Sequence, residues 1–236
     1  MCDTAAGVSK ICHAVWLGTV DYAEALDLQM RICAAKKAGL APDLLLRLEH
    51  PPTITLGRSG RWHNLLAGDA VLRSRGVARY EVDRGGDITF HGPGQLVGYP
   101  LLLLEPGERD VHRYMRNLEE VLIRSVASFG VESRRAENMT GVWTGQGKLA
   151  AMGVHISRWI TRHGFALNVN TDLSYFDLIN PCGLAGRPVA SMQSVLGRHC
   201  AMSEVVRCVS REFGRVFNRR MLAARLSELQ KELEVF

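Results

Sequence analysis

The sequence predicts an α+β, mixed α/β fold. Strand-like segments crowd the middle of the chain, amphipathic helices flank them, and the connections mix hairpin-like links with helical ones. The 236 residues suit one large domain or two small ones, and 47% hydrophobic with 22% charged residues is ordinary globular composition. Enough apolar matter is present to offset chain entropy, which excludes disorder as the main state.

Asp21 can cap a helix running to about Lys37, with Glu24 three residues on; Gly39 and Pro42 end it. Residues 44–50 read as a strand closed by Pro51-Pro52, and residues 53–56 as a second short one. Asp110 opens the clearest helix. Val111, Met115, Leu118, Leu122, Val126 and Phe129 form a stripe, and Gly130 supplies the stop. Residues 149–157 and 165–169 look like strands of one sheet. Residues 203–217 form another helix, with Val206, Val209, Phe213 and Val216 facing inward. Residues 221–235 read as a charged, peripheral terminal helix. A composition shift after Gly197 suggests that the last forty residues form a small helical subdomain.

Lys plus Arg number 29 and Asp plus Glu 24, a net charge of +5. That balance suits an acidic partner or simple solubility. The basic pairs Arg134-Arg135 and Arg219-Arg220 are too short for a nucleic-acid footprint. No apolar run reaches the roughly 18 residues of a membrane span. Met1-Cys2-Asp3 opens no basic stretch followed by an apolar one, so a cytoplasmic protein is expected. Six cysteines without a C-x-x-C pair read as free thiols in a reducing compartment, and a structural zinc site is not expected.

The most unusual stretch is Arg84-Gly85-Gly86-Asp87-Ile88-Thr89-Phe90-His91-Gly92-Pro93-Gly94-Gln95. It matches neither a phosphate loop nor a dinucleotide fingerprint. Its glycines let another molecule approach the backbone, whose N–H groups can hold an anion or a carbonyl oxygen. The plainer reading is a tight turn between two strands with Ile88 and Phe90 in the core. The embedded Arg84, Thr89 and His91 weigh against a purely structural turn.

Two further residues stand out. Lys148 follows the turn 145–147 at the start of an apolar strand, where a lysine is commonly a solvated flank. Cys182 lies in the turn-like Asn180-Pro181-Cys182-Gly183-Leu184, where a thiol is displayed rather than packed. A thiol with a pKa near 8.5 is a few per cent thiolate at neutral pH, and a neighbouring ammonium favours the anion. A Cys–Lys pair is therefore a sound nucleophile. Sequence alone does not bring residues 148 and 182 together, and a Cys–His dyad using His155 or His163 is the competing arrangement.

The segment from Arg84 to Pro100 resembles the signature of the octanoyl–acyl carrier protein:protein octanoyltransferases, the lipoyl(octanoyl) transferases. Further stretches resemble the same family in the same order: residues 48–52 with 55–58, 140–143, 147–154, 163–169 and 181–184. The likeness runs from about residue 12 to 217. It implies a fold like the catalytic domain of the biotin and lipoate protein ligases, an acyltransferase domain over 1–217 and a peripheral helix over 218–236. It implies Cys182 as the acyl-thioester nucleophile and Lys148 as the residue that lowers its pKa. Acyl-binding residues would be Arg84, Gly85, Gly86, Asp87, Ile88, Thr89, Phe90 and His91, with Ala151, Met152 and Gly153, and with Gly164, Phe165 and Ala166.

The implied donor is octanoyl–acyl carrier protein. The implied acceptors are lipoyl domains of 2-oxoacid dehydrogenase E2 subunits and the glycine cleavage H protein. No cofactor, metal, nucleic acid or membrane is implied. Phe90 stands where a tyrosine is common, which would cost the pocket a hydroxyl. Ala190-Ser191-Met192 stands where Thr-Ser-Leu is common, which would alter how the loop after Cys182 is held. The nearest competing reading is an ATP-dependent lipoate ligase of the same fold, which has no need of Cys182. A non-catalytic module that binds lipoyl domains or carrier proteins is the next.

Overall fold

The computed structural model describes residues 10–137, 139–180 and 188–233. An eight-stranded mixed sheet runs in the order β11-β1-β2-β6-β10-β9-β8-β7. Its strands are β1 (Lys10–Thr19), β2 (Asp43–Glu49), β6 (Gln95–Leu101), β7 (Arg134–Ala136), β8 (Met139–Thr144), β9 (Gly147–Ser157), β10 (Ile160–Asn168) and β11 (Arg219–Ala223). Over it lies a small sheet, β4-β3-β5, made of β3 (Thr53–Leu56), β4 (Ala78–Glu81) and β5 (Ile88–His91).

The described residues also form six α-helices: α1 (Tyr22–Lys37), α2 (Asp69–Ser74), α3 (Val111–Ala127), α4 (Met192–Leu196), α5 (Met202–Val216) and α6 (Leu226–Leu233). Helices α3 and α5 cover one face of the large sheet, with Leu118, Leu122, Val126, Val209 and Phe213 packed on Leu45, Leu96, Leu149 and Leu167. Helix α1 covers part of the other face through Ala25, Leu28 and Ile32, against Leu44, Leu46 and Val97. The small sheet has its own core of Ile54, Leu56, Ile88 and Phe90, closed by α2 and the 3-10 helix Leu173–Leu178.

Local chemistry explains the boundaries. Asp21 caps α1 by accepting from the Ala23 N–H, and Asp110 caps α3 by accepting from the Arg113 N–H. Arg158 and Trp159 (φ 51° and 63°) form the two-residue turn that joins β9 to β10, the left-handed pair a tight hairpin requires.

Three expectations need correcting. Residues 219–223 are strand, not helix: β11 pairs in parallel with β1, and α6 starts only at Leu226. The stretch after Gly197 is no separate helical unit, since α5 supplies the main core and β11 extends the large sheet. On α3, Val111 is exposed, and Tyr114 and Val121 are buried in its stead.

Candidate active site

Between the large sheet and the small one lies a cavity of about 980 Å³, counting its open mouth. Its floor is a trough of short side chains. Gly164 of β10 sits opposite Gly153 of β9, and Ala166 sits opposite Ala151, with each pair facing the cavity. A Cβ on Gly153 would lie 2.5 Å from the Gly85 carbonyl oxygen, so a larger residue would push the glycine-rich segment away from the sheet. Val97 adds apolar surface beside the trough and Phe176 closes the cavity from the 3-10 helix; Met152 and Phe165 border it as well, but alternation along β9 and β10 packs their side chains into the main core on the other face.

The glycine-rich segment forms the opposite wall. Arg84, Gly86, Asp87, Ile88, Thr89 and His91 line the cavity. Gly85 does not; its N–H donates to the Val154 carbonyl oxygen and pins the segment to β9. Phe90 does not either. It is buried in the small-sheet core, stacked on Tyr175 at 4.7 Å, because alternation along β5 sends its side chain to the other face. The expected loss of a hydroxyl from the pocket is therefore corrected: position 90 faces away from it. Arg84 is nearly enclosed and donates to the Thr55 carbonyl oxygen at 2.8 Å and to Thr55 Oγ1.

The buried polar groups form a connected set. Gln95 spends its two amide protons on the carbonyl oxygen of Phe90 and on Asn168 Oδ1, so its Oε1 accepts from His91 Nδ1 at 2.9 Å. His91 Nε2 then accepts from the Thr55 hydroxyl. Burial, reinforced by the charges of His50 and Arg84, holds His91 well below the ordinary histidine range. His50 donates through Nδ1 to the Val20 carbonyl oxygen and accepts from the Tyr99 hydroxyl; burial pushes it down to about 4. His163 donates from Nε2 to Asp83 Oδ1 at 2.9 Å, and burial lowers it to about 4 despite that carboxylate. Burial raises Asp83, yet the His163 hydrogen bond and the Arg162 charge outweigh it and keep the carboxyl below its ordinary value.

Lys148 lines the same cavity. Its backbone brackets the segment after residue 187. The Lys148 N–H donates to the Pro188 carbonyl oxygen at 2.9 Å, and the Ala190 N–H donates to the Lys148 carbonyl oxygen at 3.0 Å. Asn168 donates to the Ala190 carbonyl oxygen, Ser191 caps α4, and Met192 is buried in the main core. Gly141 of β8 makes room for the lysine, since a Cβ there would lie 2.7 Å from Lys148 Cε. The Gly141 N–H is held by Glu119 Oε1 of α3 at 3.1 Å.

The structure thus gathers Lys148, Ala151, Met152, Gly153, Gly164, Phe165 and Ala166 with most of the glycine-rich segment around one cavity. Cys182 lies outside the described residues. Sequence reasoning gave no site role to Tyr22, Gln95, Tyr99, Trp143, Asn168 or Phe176, which line the cavity too. Trp143 and Asn168 sit inside the motif stretches; Tyr22 and Phe176 carry no signal of their own.

Known proteins match this chain closely. Residues 21–214 match the family described as lipoyl protein ligase A/B catalytic domain. A protein of Solibacter usitatus named octanoyltransferase is 53% identical over 211 residues, covering 89% of this chain and 95% of that one. Another octanoyltransferase, from Acidobacterium capsulatum, is 48% identical and covers 90% and 92%. Among solved structures, a lipoate-protein ligase A bound with ATP superposes with a TM-score of 0.74 at 15% identity, covering 94% and 92% of the two chains. A Thermoplasma acidophilum bipartite lipoate protein ligase, described with its E2 lipoyl domain, gives 0.70 at 15% identity, covering 96% and 91%. At such identity these two likenesses establish the fold.

Proposed function

We infer the function from one premise: the chain belongs to the lipoyl protein ligase A/B catalytic-domain family. Within it the chain is an octanoyltransferase, an acyltransferase of lipoate biosynthesis, as its relatives near 50% identity are. The ligase alternative is the weaker reading, because an octanoyltransferase is 53% identical to this chain while the two solved ligases are 15% identical.

We propose further that the transfer runs through Cys182. Its thiolate attacks the carbonyl carbon of an octanoyl thioester on an acyl carrier protein; a carbon–sulfur bond forms and the carrier's thiol leaves. A lysine ε-amine of a lipoyl domain then attacks the acyl-enzyme. The amide bond forms, the Cys182 sulfur departs, and the amine's proton returns to the site. Thioester to amide is downhill, so ATP is not consumed. Lipoyl domains of 2-oxoacid dehydrogenases and the glycine cleavage H protein are the proposed acceptors, and the cytoplasm the proposed compartment. No helix among the described residues is long and apolar enough to cross a membrane.

The observation that carries this reading is the position of Lys148. Its side chain lines the cavity with its backbone tied to Pro188 and Ala190, so the segment that follows Cys182 in sequence is anchored at the lysine. An ammonium there favours the thiolate. The acyl chain lies along the trough between Ala151, Gly153, Gly164 and Ala166, and Arg84, Gly86, Asp87, Ile88, Thr89 and His91 cover it.

Intact-protein mass spectrometry with octanoyl–acyl carrier protein and no ATP tests the proposal. Wild type should gain one octanoyl mass that a lipoyl domain discharges. Cys182→Ala should gain none, and Lys148→Ala should acylate roughly 10²–10⁴-fold more slowly. Octanoylation of the acceptor only with free octanoate and ATP would overturn it in favour of the ligase.

A further inference from the structure

The small-residue floor of the cavity ends abruptly. Ala151, Gly153 and His155 of β9 share one face with Ala166, Gly164 and Arg162 of β10, in three opposed pairs. The first two pairs are short and line the cavity; the third is long and polar. His155 and Arg162 line instead a second cavity of about 320 Å³, counting its opening, with Cys33 and Lys37 of α1. Two cavities thus lie on one sheet face, divided by the third pair.

Asp83 closes the division from above. Its carboxylate takes Arg162 Nη2, His155 Nδ1 at 3.1 Å and His163 Nε2 at 2.9 Å. It stands two residues before Gly85, where the segment that covers the trough begins. There the cover descends to the floor. The Gly85 N–H donates to the Val154 carbonyl oxygen at 2.9 Å, and the Gly85 carbonyl oxygen sits 2.5 Å from where a Gly153 Cβ would lie. Tyr22, His91 and Tyr99, all buried, close the side. Gly153 is five residues along β9 from Lys148, about 16 Å at the rise of a strand, room for the thioester end and an extended eight-carbon chain. A longer tail would have to part a carboxylate from a guanidinium and strip water from both, which apolar contact does not offset.

We propose that Asp83, clamped on His155, Arg162 and His163, is the end wall of the acyl trough and sets its upper chain length. The wall refuses longer tails by charge as well as by bulk. The second cavity is the space a longer tail would enter once the clamp is released. This rests on the reading of the trough as the acyl site.

Acyl carrier proteins loaded with octanoyl, decanoyl and dodecanoyl chains test it on the full chain, compared by kcat/KM. Free acids of the same lengths, below their micelle concentrations, are compared by the melting temperature they confer. In wild type, dodecanoyl should fall below octanoyl by about 10²-fold or more. Asp83→Asn, which keeps the side chain's size, and Arg162→Ala should each raise the dodecanoyl-to-octanoyl ratio by about tenfold or more. In both variants dodecanoate should stabilise at least as well as octanoate. A ratio unchanged in both variants overturns the proposal, as does wild type that transfers dodecanoyl as fast as octanoyl. Ala166→Val narrows the floor itself and should shift preference towards hexanoyl. A preference unmoved by Ala166→Val, with free acids giving no length-dependent shift, would instead refute the trough as the acyl site, so the two failures are distinguishable.

Discussion

Arg162 and His163 are neighbours in β10, yet both reach the carboxylate of Asp83. Consecutive residues of a regular strand point to opposite faces. The exception has a visible cause: His163 has φ +58°, a left-handed conformation that costs a non-glycine residue about 1–2 kcal/mol. That turn brings a neutral imidazole to the cavity wall beside Tyr99. His50 and His163 titrate near 4 in the folded chain and near 6.5 when unfolded. Between those values the unfolded chain binds protons that the folded chain refuses, so stability rises with pH there and is lost on acidification. Urea unfolding from pH 7 to 4 should therefore show a falling midpoint, with about 1.4 kcal/mol per pH unit for each such histidine. His50→Gln should flatten the slope by one histidine's share. At this scale the sequence exposes Arg84, His91 and Lys148, because charged or polar residues among glycines and apolar strands are conspicuous. It hides His163, whose placement depends on a backbone angle that no spacing encodes.

Elements divide by where their partners lie in sequence. Helix α3 is legible because its own periodicity writes its buried face: Leu118, Leu122 and Val126 are all fully enclosed. Strand β11 is not. Its Met221-Leu222-Ala223 continues smoothly into helix-favouring residues, and only pairing with β1, some two hundred residues away, makes it a strand. Strand β1 escapes notice as well, since it pairs in parallel with distant β11 on one side and, across α1, with β2 on the other. What secures β11 is a buried ionic knot. Arg219, 3% exposed, donates to Asp43 and, with both terminal nitrogens, to Glu108; Lys36 also reaches Asp43. Removing the arginine leaves Asp43 short of a partner in a buried setting. Arg219→Ala should cost about 3–5 kcal/mol in denaturant unfolding. Arg211→Ala, whose side chain is half exposed, should cost under about 1 kcal/mol.

On the scale of the whole molecule, the site belongs to neither sheet alone. The large sheet supplies the trough and Lys148, the small sheet supplies the cover, and Gly85 and Gly153 meet where the two touch. The fold class and the strand-rich middle follow from composition and patterning. The stacking of one sheet on the other does not, since β3, β4 and β5 are four residues each and acquire a face only through Ile54, Leu56 and Phe90 in their shared core. The paired glycines and alanines of β9 and β10 have a consequence for thermodynamics as well as for binding. Along this strip the sheet gives up side chains that would otherwise be part of its interior, and a hydrocarbon tail laid there completes the packing between the two sheets. Substrate and hydrophobic core are then interchangeable, and occupancy is linked to folding through RT ln(1 + [L]/Kd). Octanoate should raise the melting temperature, by about 2–4 °C for each kcal/mol of linkage in a chain of this size, and butyrate at equal concentration should raise it far less. Equal shifts from the two acids, read by calorimetry, would show that the tail lies elsewhere.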